Sequence, residues 1–277
     1  MHWILKAPNV ITIFGAVGND ENKRLLENAL SAEQINFIFK CNNGYQTARC
    51  AVLITDHNRS LCTDLGASKL LDINDLYEEK VWIAVNSANV FYMSGFFFQV
   101  SPRIINALAQ HAFKSDKTFI VNVGAAFLTE KYTEEFKELL KLTDIVICNE
   151  EEIIALNKSL LNETKPTVIN SIIAIQKLAF DKKDERIIIV TRGSKSVLVC
   201  NTKGKVDEVL VPKVHGIRDT NAAGDALAGG FITQFVKGKS MKECVNCGIW
   251  AARQIVQNVG CTFNKNMQFD DYIVGSK

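Results

Sequence analysis

Short apolar runs alternate along this chain with segments of helical periodicity. Ile11-Thr12-Ile13-Phe14, Val52-Leu53-Ile54, Val90-Phe91-Tyr92-Met93, Phe119-Ile120-Val121-Asn122-Val123, Ile145-Val146-Ile147-Cys148 and Ile187-Ile188-Ile189-Val190 have the length and β-branched or aromatic content of strands. Between them, apolar residues at helical spacing predict helices over 21–32, 104–113, 133–142, 150–157 and 171–180. Further helices are predicted from Asp225 and over 241–256, and residues 196–200 read as a hairpin arm. Strands separated by helices pack as right-handed βαβ crossovers, giving a mostly parallel sheet with helices on both faces. The expected class is α/β. No internal repeat or linker interrupts residues 1–277, so they read as a single domain.

Two stretches depart from the alternation. In the region 37–71, Cys50-Ala51-Val52-Leu53-Ile54-Thr55 and Ser60-Leu61-Cys62-Thr63 flank the polar turn Asp56-His57-Asn58-Arg59. That pattern predicts a hairpin, and such an insertion often forms a lid over a site. Residues 81–102 carry no charge and are numerous enough to span a bilayer. Asn86, Ser87, Asn89, Ser94, Gly95 and Gln99 interrupt the run, so it reads as a fully buried parallel strand near residue 90 with Gly95-Phe96-Phe97 as exit loop, and no membrane association is expected.

Charge and cysteine usage narrow the function classes. Lys plus Arg number 32 against 30 Asp plus Glu, a net charge of +2 with no basic stripe, which argues against nucleic-acid binding. Eight cysteines are scattered and no signal-peptide apolar core follows Met1, so a reducing cytoplasmic setting is expected, with the nucleus as a second location. Cys244-x-x-Cys247 lacks a second pair or neighbouring histidines and reads as two buried sulfurs on a helix rather than a zinc site.

The segment Asp219-Thr220-Asn221-Ala222-Ala223-Gly224-Asp225-Ala226-Leu227-Ala228-Gly229-Gly230-Phe231 carries the chemistry. Small residues lead directly into an apolar helical pattern, and a helix N-terminus offers unpaired N–H groups and a positive dipole end to a phosphate. Asp225 has two readings: an ordinary first-turn carboxylate, or a general base beside an anion hole.

This segment is similar to the C-terminal signature of the ribokinase-like (PfkB) carbohydrate and nucleoside kinases. Asp56-His57-Asn58-Arg59-Ser60-Leu61, Gly95-Phe96-Phe97-Phe98-Gln99-Val100-Ser101-Pro102 and Gly260-Cys261-Thr262-Phe263 narrow the resemblance to the adenosine kinases. Asn149-Glu150-Glu151-Glu152 fits the family's Asn-x-x-Glu, and the motifs run in family order from Phe14-Gly15-Ala16-Val17-Gly18-Asn19-Asp20 to Phe263. The resemblance implies a ribokinase-like fold with a small β lid, and Mg²⁺-dependent transfer of the ATP γ-phosphoryl group to the 5′-hydroxyl of adenosine by a monomer. It assigns Asp225 as general base and the N–H groups of Ala222, Ala223, Gly224 and Asp225 as anion hole. Arg59 on the lid would reach the phosphates; its other reading is a solvated turn residue. Asn149 and Glu152 would organise Mg²⁺ and its waters. Thr191, Gly193, Asp219, Thr220, Ala251 and Cys261 would line the ATP site. Cys50, Leu61, Thr63 and Phe97 would line the nucleoside pocket, where Phe97 either stacks on the purine or is plain core.

Some positions differ from the family pattern. Ala222 replaces a glycine, Lys23 another, and Asn264 a proline. Ala222 keeps its N–H donor but costs about 1 kcal/mol if its φ is positive. The family begins several tens of residues earlier, so its first strand, part of the lid and a ribose-gripping Gly-Gly-Ser…Asn segment are expected to be absent. The alternatives are a catalytically weakened relative that binds nucleoside or a partner, and a kinase for a sugar or another nucleoside.

Overall fold

The computed structural model describes residues 1–55, 58–182, 185–202 and 204–269. In chain order, α1 (His2–Leu5) precedes β1 (Thr12–Gly18), α2 (Glu21–Ala32), β2 (Asn36–Asn42), β3 (Arg49–Thr55) and β4 (Asn58–Asp64). Next come α3 (Ile73–Leu76), α4 (Glu79–Ser87), β5 (Val90–Ser94), α5 (Pro102–Lys114), β6 (Thr118–Asn122), α6 (Ala126–Lys131) and α7 (Thr133–Leu140). The C-terminal half holds β7 (Ile145–Asn149), α8 (Glu150–Leu161), α9 (Val168–Gln176), β8 (Ile187–Thr191), β9 (Val197–Thr202), β10 (Lys205–Val209), α10 (Ala223–Val236) and α11 (Met241–Val256). Two compact units result: Met1–Lys6, Val90–Gly95 and Ala109–Lys277 form one, Ala7–Asn89 and Phe96–Leu108 the other. No helix among the described residues is long and apolar enough to cross a membrane.

The first unit is built on a six-stranded sheet in the order β10-β9-β8-β7-β6-β5 among the described residues. Strands β5 to β8 run parallel, and β9 and β10 add an antiparallel hairpin. Residues of both parities in β7 and β8 are buried, which is why these strands read as unbroken apolar runs. On one face Ile120, Ile147 and Ile189 pack with Leu227, Phe231 and Ile249 of α10 and α11. Those two helices cross closely, because a Cβ at Gly230 or Gly248 would sit 2.6 Å from the carbonyl of Cys247 or Leu227 respectively. Cys244 and Cys247 are both fully buried on α11, as read from the sequence, and burial raises each thiol's pKa to about 11.

The second unit pairs β1 with β2 in parallel and β3 with β4 in a hairpin. Among the described residues β1 does not join the six-stranded sheet, although the strand holding Phe14 read as one more member of the alternation. Gly18 explains part of the local conformation, since a Cβ there would lie 2.1 Å from the Tyr45 carbonyl. Thr47 clamps the same corner: its Oγ1 accepts from Gly18 N at 3.0 Å and donates to Asp20 Oδ1 at 2.7 Å. Asp20 also caps α2 by accepting from Lys23 N.

Three readings of local structure need correction. Strand β5 is not fully buried: it ends the sheet order, and Tyr92 is 39% exposed. Helix α4 is not expected from the sequence, because its residues 81–87 fall in the uncharged run that reads as one buried strand and its exit loop. Helix α9 begins three residues before the expected start, after the N-cap Thr167, and ends at Gln176 rather than at residue 180.

Candidate active site

The Asp219–Asp225 turn enters α10 without a side-chain cap, and Ala222 at the N-cap has φ 59° and ψ 11°. A left-handed alanine costs about 1–2 kcal/mol, so the surrounding structure holds it there. Asp219 provides part of that hold. Its Oδ1 accepts from Asn221 N at 2.8 Å and its Oδ2 from Gly260 N at 3.0 Å, joining this turn to the one that carries Cys261. Asp225 lies exposed in the first turn of α10. The N–H of Ala223 bonds the Thr220 carbonyl at 3.3 Å, whereas those of Ala222, Gly224 and Asp225 have no backbone acceptor among the described residues. Open space surrounds the Cα of Gly224, with nothing within 4 Å of where a Cβ would stand. N–H groups without a backbone acceptor among the described residues, the positive end of a 14-residue helix and free volume are what anion binding requires.

The C-terminal ends of the parallel strands, where open α/β sheets commonly bind ligands, carry further candidate polar groups. Asn149 ends β7 and stands in register with Thr191 at the end of β8. Thr191 Oγ1 donates to the Cys148 carbonyl at 3.4 Å, and Gly193 just beyond has φ 61° with open space where a side chain would be. Asn149 caps α8, and the reciprocal box with Glu152 is complete. Glu152 Oε2 accepts from Asn149 N at 3.1 Å, Oε1 accepts from Asn149 Nδ2 at 2.7 Å, and Asn149 Oδ1 accepts from Glu152 N at 2.9 Å. Glu152 is 6% exposed, and burial raises its pKa despite hydrogen bonds from the backbone of Asn149 and Gly124. The Tyr92 hydroxyl accepts from Asn122 Nδ2 at 3.1 Å, and the charges of both Asp225 and Glu152 act on it. Tyr92 and Asn122 did not stand out in the sequence; only their positions near strand ends signalled them.

The pfkB family carbohydrate kinase pattern matches residues 9–267. An adenosine kinase of Saccharomyces cerevisiae is 33% identical over 262 residues, 94% of this chain and 76% of the relative. The chain belongs to the pfkB family, in its adenosine kinase group. The adenosine kinase of Dictyostelium discoideum is 32% identical over 94% of this chain and 76% of its own length. Among solved structures, Anopheles gambiae adenosine kinase bound to P1,P4-di(adenosine-5) tetraphosphate superposes with a TM-score of 0.91 at 34% identity, covering 96% of this chain and 79% of that one. Schistosoma mansoni adenosine kinase with adenosine and AMP gives 0.88 at 30% identity, covering 95% and 78%. The ribokinase-like α/β fold expected from the sequence is the fold of this adenosine kinase family member.

The remaining residues suggested by the adenosine kinase pattern distribute over both units. Cys50 and Thr63 stand opposite each other in the β3–β4 hairpin, where Thr63 Oγ1 donates to Cys50 Sγ at 3.2 Å, and Leu61 pairs with Val52 and is exposed. Arg59 occupies a register position opposite Ile54; its side chain, like all of Asp56 and His57, lies outside the described residues. Phe97 is partly exposed in a 3-10 turn, while its neighbour Phe98 is buried. Ala251 is 2% exposed and packs with Cys247, Trp250 and Phe269, so its methyl group is core; Cys261 is exposed. Arg192, between Thr191 and Gly193, bonds the Ser196 carbonyl at 2.7 Å and pairs with Glu208.

Proposed function

We propose that this chain is an ATP:adenosine 5′-phosphotransferase. The observation that carries the reading is the uncapped α10 terminus, where unpaired N–H groups immediately precede Asp225, in a member of the adenosine kinase group. ATP is the phosphoryl donor used across this group. In the proposed reaction the adenosine 5′-oxygen attacks the γ-phosphorus, the bond from that phosphorus to the β–γ bridging oxygen breaks, and ADP leaves. Asp225 takes the 5′-hydroxyl proton as the new bond forms. The N–H groups of Ala222, Gly224 and Asp225, with the helix dipole, stabilise charge on the transferred group.

Asn149 and Glu152 suit a magnesium ion held through its water shell. Glu152's carboxylate accepts N–H bonds yet keeps lone pairs for water, and no cluster of three or more His, Cys, Asp or Glu exists among the described residues to cage a bare ion. Mg²⁺ bound there would neutralise charge on the ATP phosphates. The capping box fixes Glu152 before any ligand arrives, so no reorganisation is needed during turnover.

A phosphoryl-transfer assay with ATP and adenosine, run beside ribose, fructose and inosine, tests the proposal. AMP formation with adenosine and little transfer to the others is the expected result. Preferential transfer to a sugar would overturn it.

A further inference from the structure

The side chain of Trp3 stands between two rings. It stacks on Trp250 of α11 at a centroid distance of 4.8 Å and on Phe263 at 4.1 Å, with interplanar angles of 25° and 28°. Trp250 is 1% exposed and meets Phe269 edge-on, so one side of the stack is fixed in the core. The other side is not. Phe263 is half-buried between exposed Thr262 and Asn264, and residues 257–268 beyond α11 hold neither helix nor strand. Trp3 Nε1 donates to the Lys265 carbonyl at 3.3 Å, two residues past the stacked phenyl. An indole with one face on a buried ring, the other on Phe263 and its N–H on the same loop sets where that loop runs.

The loop reaches the open end of α10. Three residues before Phe263, Gly260 N donates to Asp219 Oδ2 at 3.0 Å. Asp219 Oδ1 in turn accepts from Asn221 N at 2.8 Å, next to the left-handed Ala222. Helix α1 is itself seated on α10, where a Cβ at Gly229 would lie 2.9 Å from Met1 N. Ile4 and Ala226, the residue after Asp225, pack with Trp3 against the cluster of Cys247, Trp250 and Phe269. Helix α1 therefore braces the body of α10, and its Trp3 braces the loop tied to the turn that opens α10.

We propose that Trp3 is a positioning residue for the anion hole at the start of α10. By stacking on Phe263 it keeps Gly260 against Asp219, and so aims the N–H groups of Ala222, Gly224 and Asp225 at the γ-phosphoryl group of ATP. This rests on the function proposed above. Trp3 acts through Phe263 and Asp219 and takes no part in the chemistry, so its influence falls on ATP rather than on adenosine.

The test starts with wild-type turnover of ATP and adenosine, which judges the proposed function separately. In Trp3→Ala, KM for ATP should rise about threefold or more, while KM for adenosine changes less than about twofold. Trp3→Phe keeps a ring in the stack and loses the bond to Lys265; it should return KM for ATP to within about twofold of wild type. Ile4→Ala loosens the same helix but removes no ring, so it should lower Tm and leave KM for ATP unchanged. Coupling is read from the double variant: Trp3→Ala/Asp219→Ala should have a KM for ATP no higher than Asp219→Ala alone. Additive rises, an unchanged KM for ATP in Trp3→Ala, no rescue by Trp3→Phe, or an equal effect of Ile4→Ala overturns the assignment. Should Trp3→Ala not fold, Phe263→Leu takes its place and must raise KM for ATP in the same way. If the wild type forms no AMP, the proposed function fails, and calorimetric binding of β,γ-imido-ATP with Mg²⁺ decides the inference instead. A Kd raised about threefold or more in Trp3→Ala sustains it; an equal Kd, or no binding by the wild type, overturns it.

Discussion

Helix α8 starts directly at the end of parallel strand β7 and α10 after the loop that follows β10, and they solve the problem of unpaired N–H groups in opposite ways. Asn149 and Glu152 close α8 with a reciprocal box, and Asn149 is extended at φ −103°. Ala222 begins α10 in the left-handed region with no side-chain cap among the described residues. A closed cap typically contributes about 1 kcal/mol to stability, whereas an open one forgoes that and exposes its donors. The first arrangement holds a carboxylate still; the second leaves N–H donors open, as the proposed anion hole requires. The proposed function uses the end that is locally less stable, where a ligand would complete the hydrogen bonding.

The largest effect that can test this contrast comes from the open end. Asp225→Asn should lower kcat by at least about 10²-fold with nucleotide affinity little changed, because the amide cannot take a proton yet preserves the shape of the turn. Steady-state kinetics with ATP and adenosine read this directly, and undiminished turnover would remove Asp225 from the base role. The closed end should respond first in stability. Glu152→Ala dissolves the box and leaves the Asn149 N–H and amide without their acceptor, at a cost of about 1–2 kcal/mol seen in denaturant unfolding. Glu152→Gln suits the same N3 position and should lose less than half as much. If Glu152→Gln nevertheless impairs turnover as strongly as Glu152→Ala, the carboxylate has a role beyond capping.

A third substitution probes what holds the open end in place. Asp219→Ala deletes two charge-assisted bonds, to Asn221 N and Gly260 N, that tie the α10 turn to the Cys261 turn. In a partly exposed site a loss of about 1 kcal/mol in stability is expected. KM for ATP should rise more than KM for adenosine, which initial rates at varied ATP will check. Equal rises would place Asp219's influence elsewhere.

How much of this was legible beforehand follows from the range of the interactions involved. Helices α2 and α11 begin at the expected residues because their start signals are local: Asp20 caps one, and Ser240 with Glu243 boxes the other. The central strands were equally plain, since Ile145–Cys148 and Ile187–Val190 are apolar in both parities. Helix α4 was hidden because Val81-Trp82-Ile83-Ala84-Val85 has the content of a buried strand as much as of a helix. The parallel pairing of β1 with β2 depends on register across the intervening helix α2, and nothing local encodes it. The site divides along the same line. Asp225 and the Asn149–Glu152 box lie within continuous motifs, while the hydrogen bond from Asn122 to Tyr92 joins neighbouring strands and surfaced only in three dimensions.

The smallest effect is the most discriminating about the open end. With φ at 59°, Ala222 carries a left-handed penalty of about 1–2 kcal/mol that glycine would not. Ala222→Gly removes that strain but loosens the unfolded chain by about 0.4–1 kcal/mol, so the net gain should be about 1 kcal/mol or less. A Tm that is unchanged or modestly higher is therefore expected, and a clear fall would mean that residue 222 is not left-handed in solution. Turnover reads the second half of the argument. The Ala222 N–H is present in both variants, so its hydrogen bond to a developing charge survives. What changes is how freely the turn adjusts as charge builds during transfer. An increase in kcat of less than about 10-fold, with adenosine affinity nearly constant, follows if the methyl group restrains that adjustment, because such donors act chiefly in the transition state. A rise in adenosine affinity without a change in kcat would instead mean that this turn shapes ground-state binding, and the open end would then resemble the closed one in being built before the reaction begins.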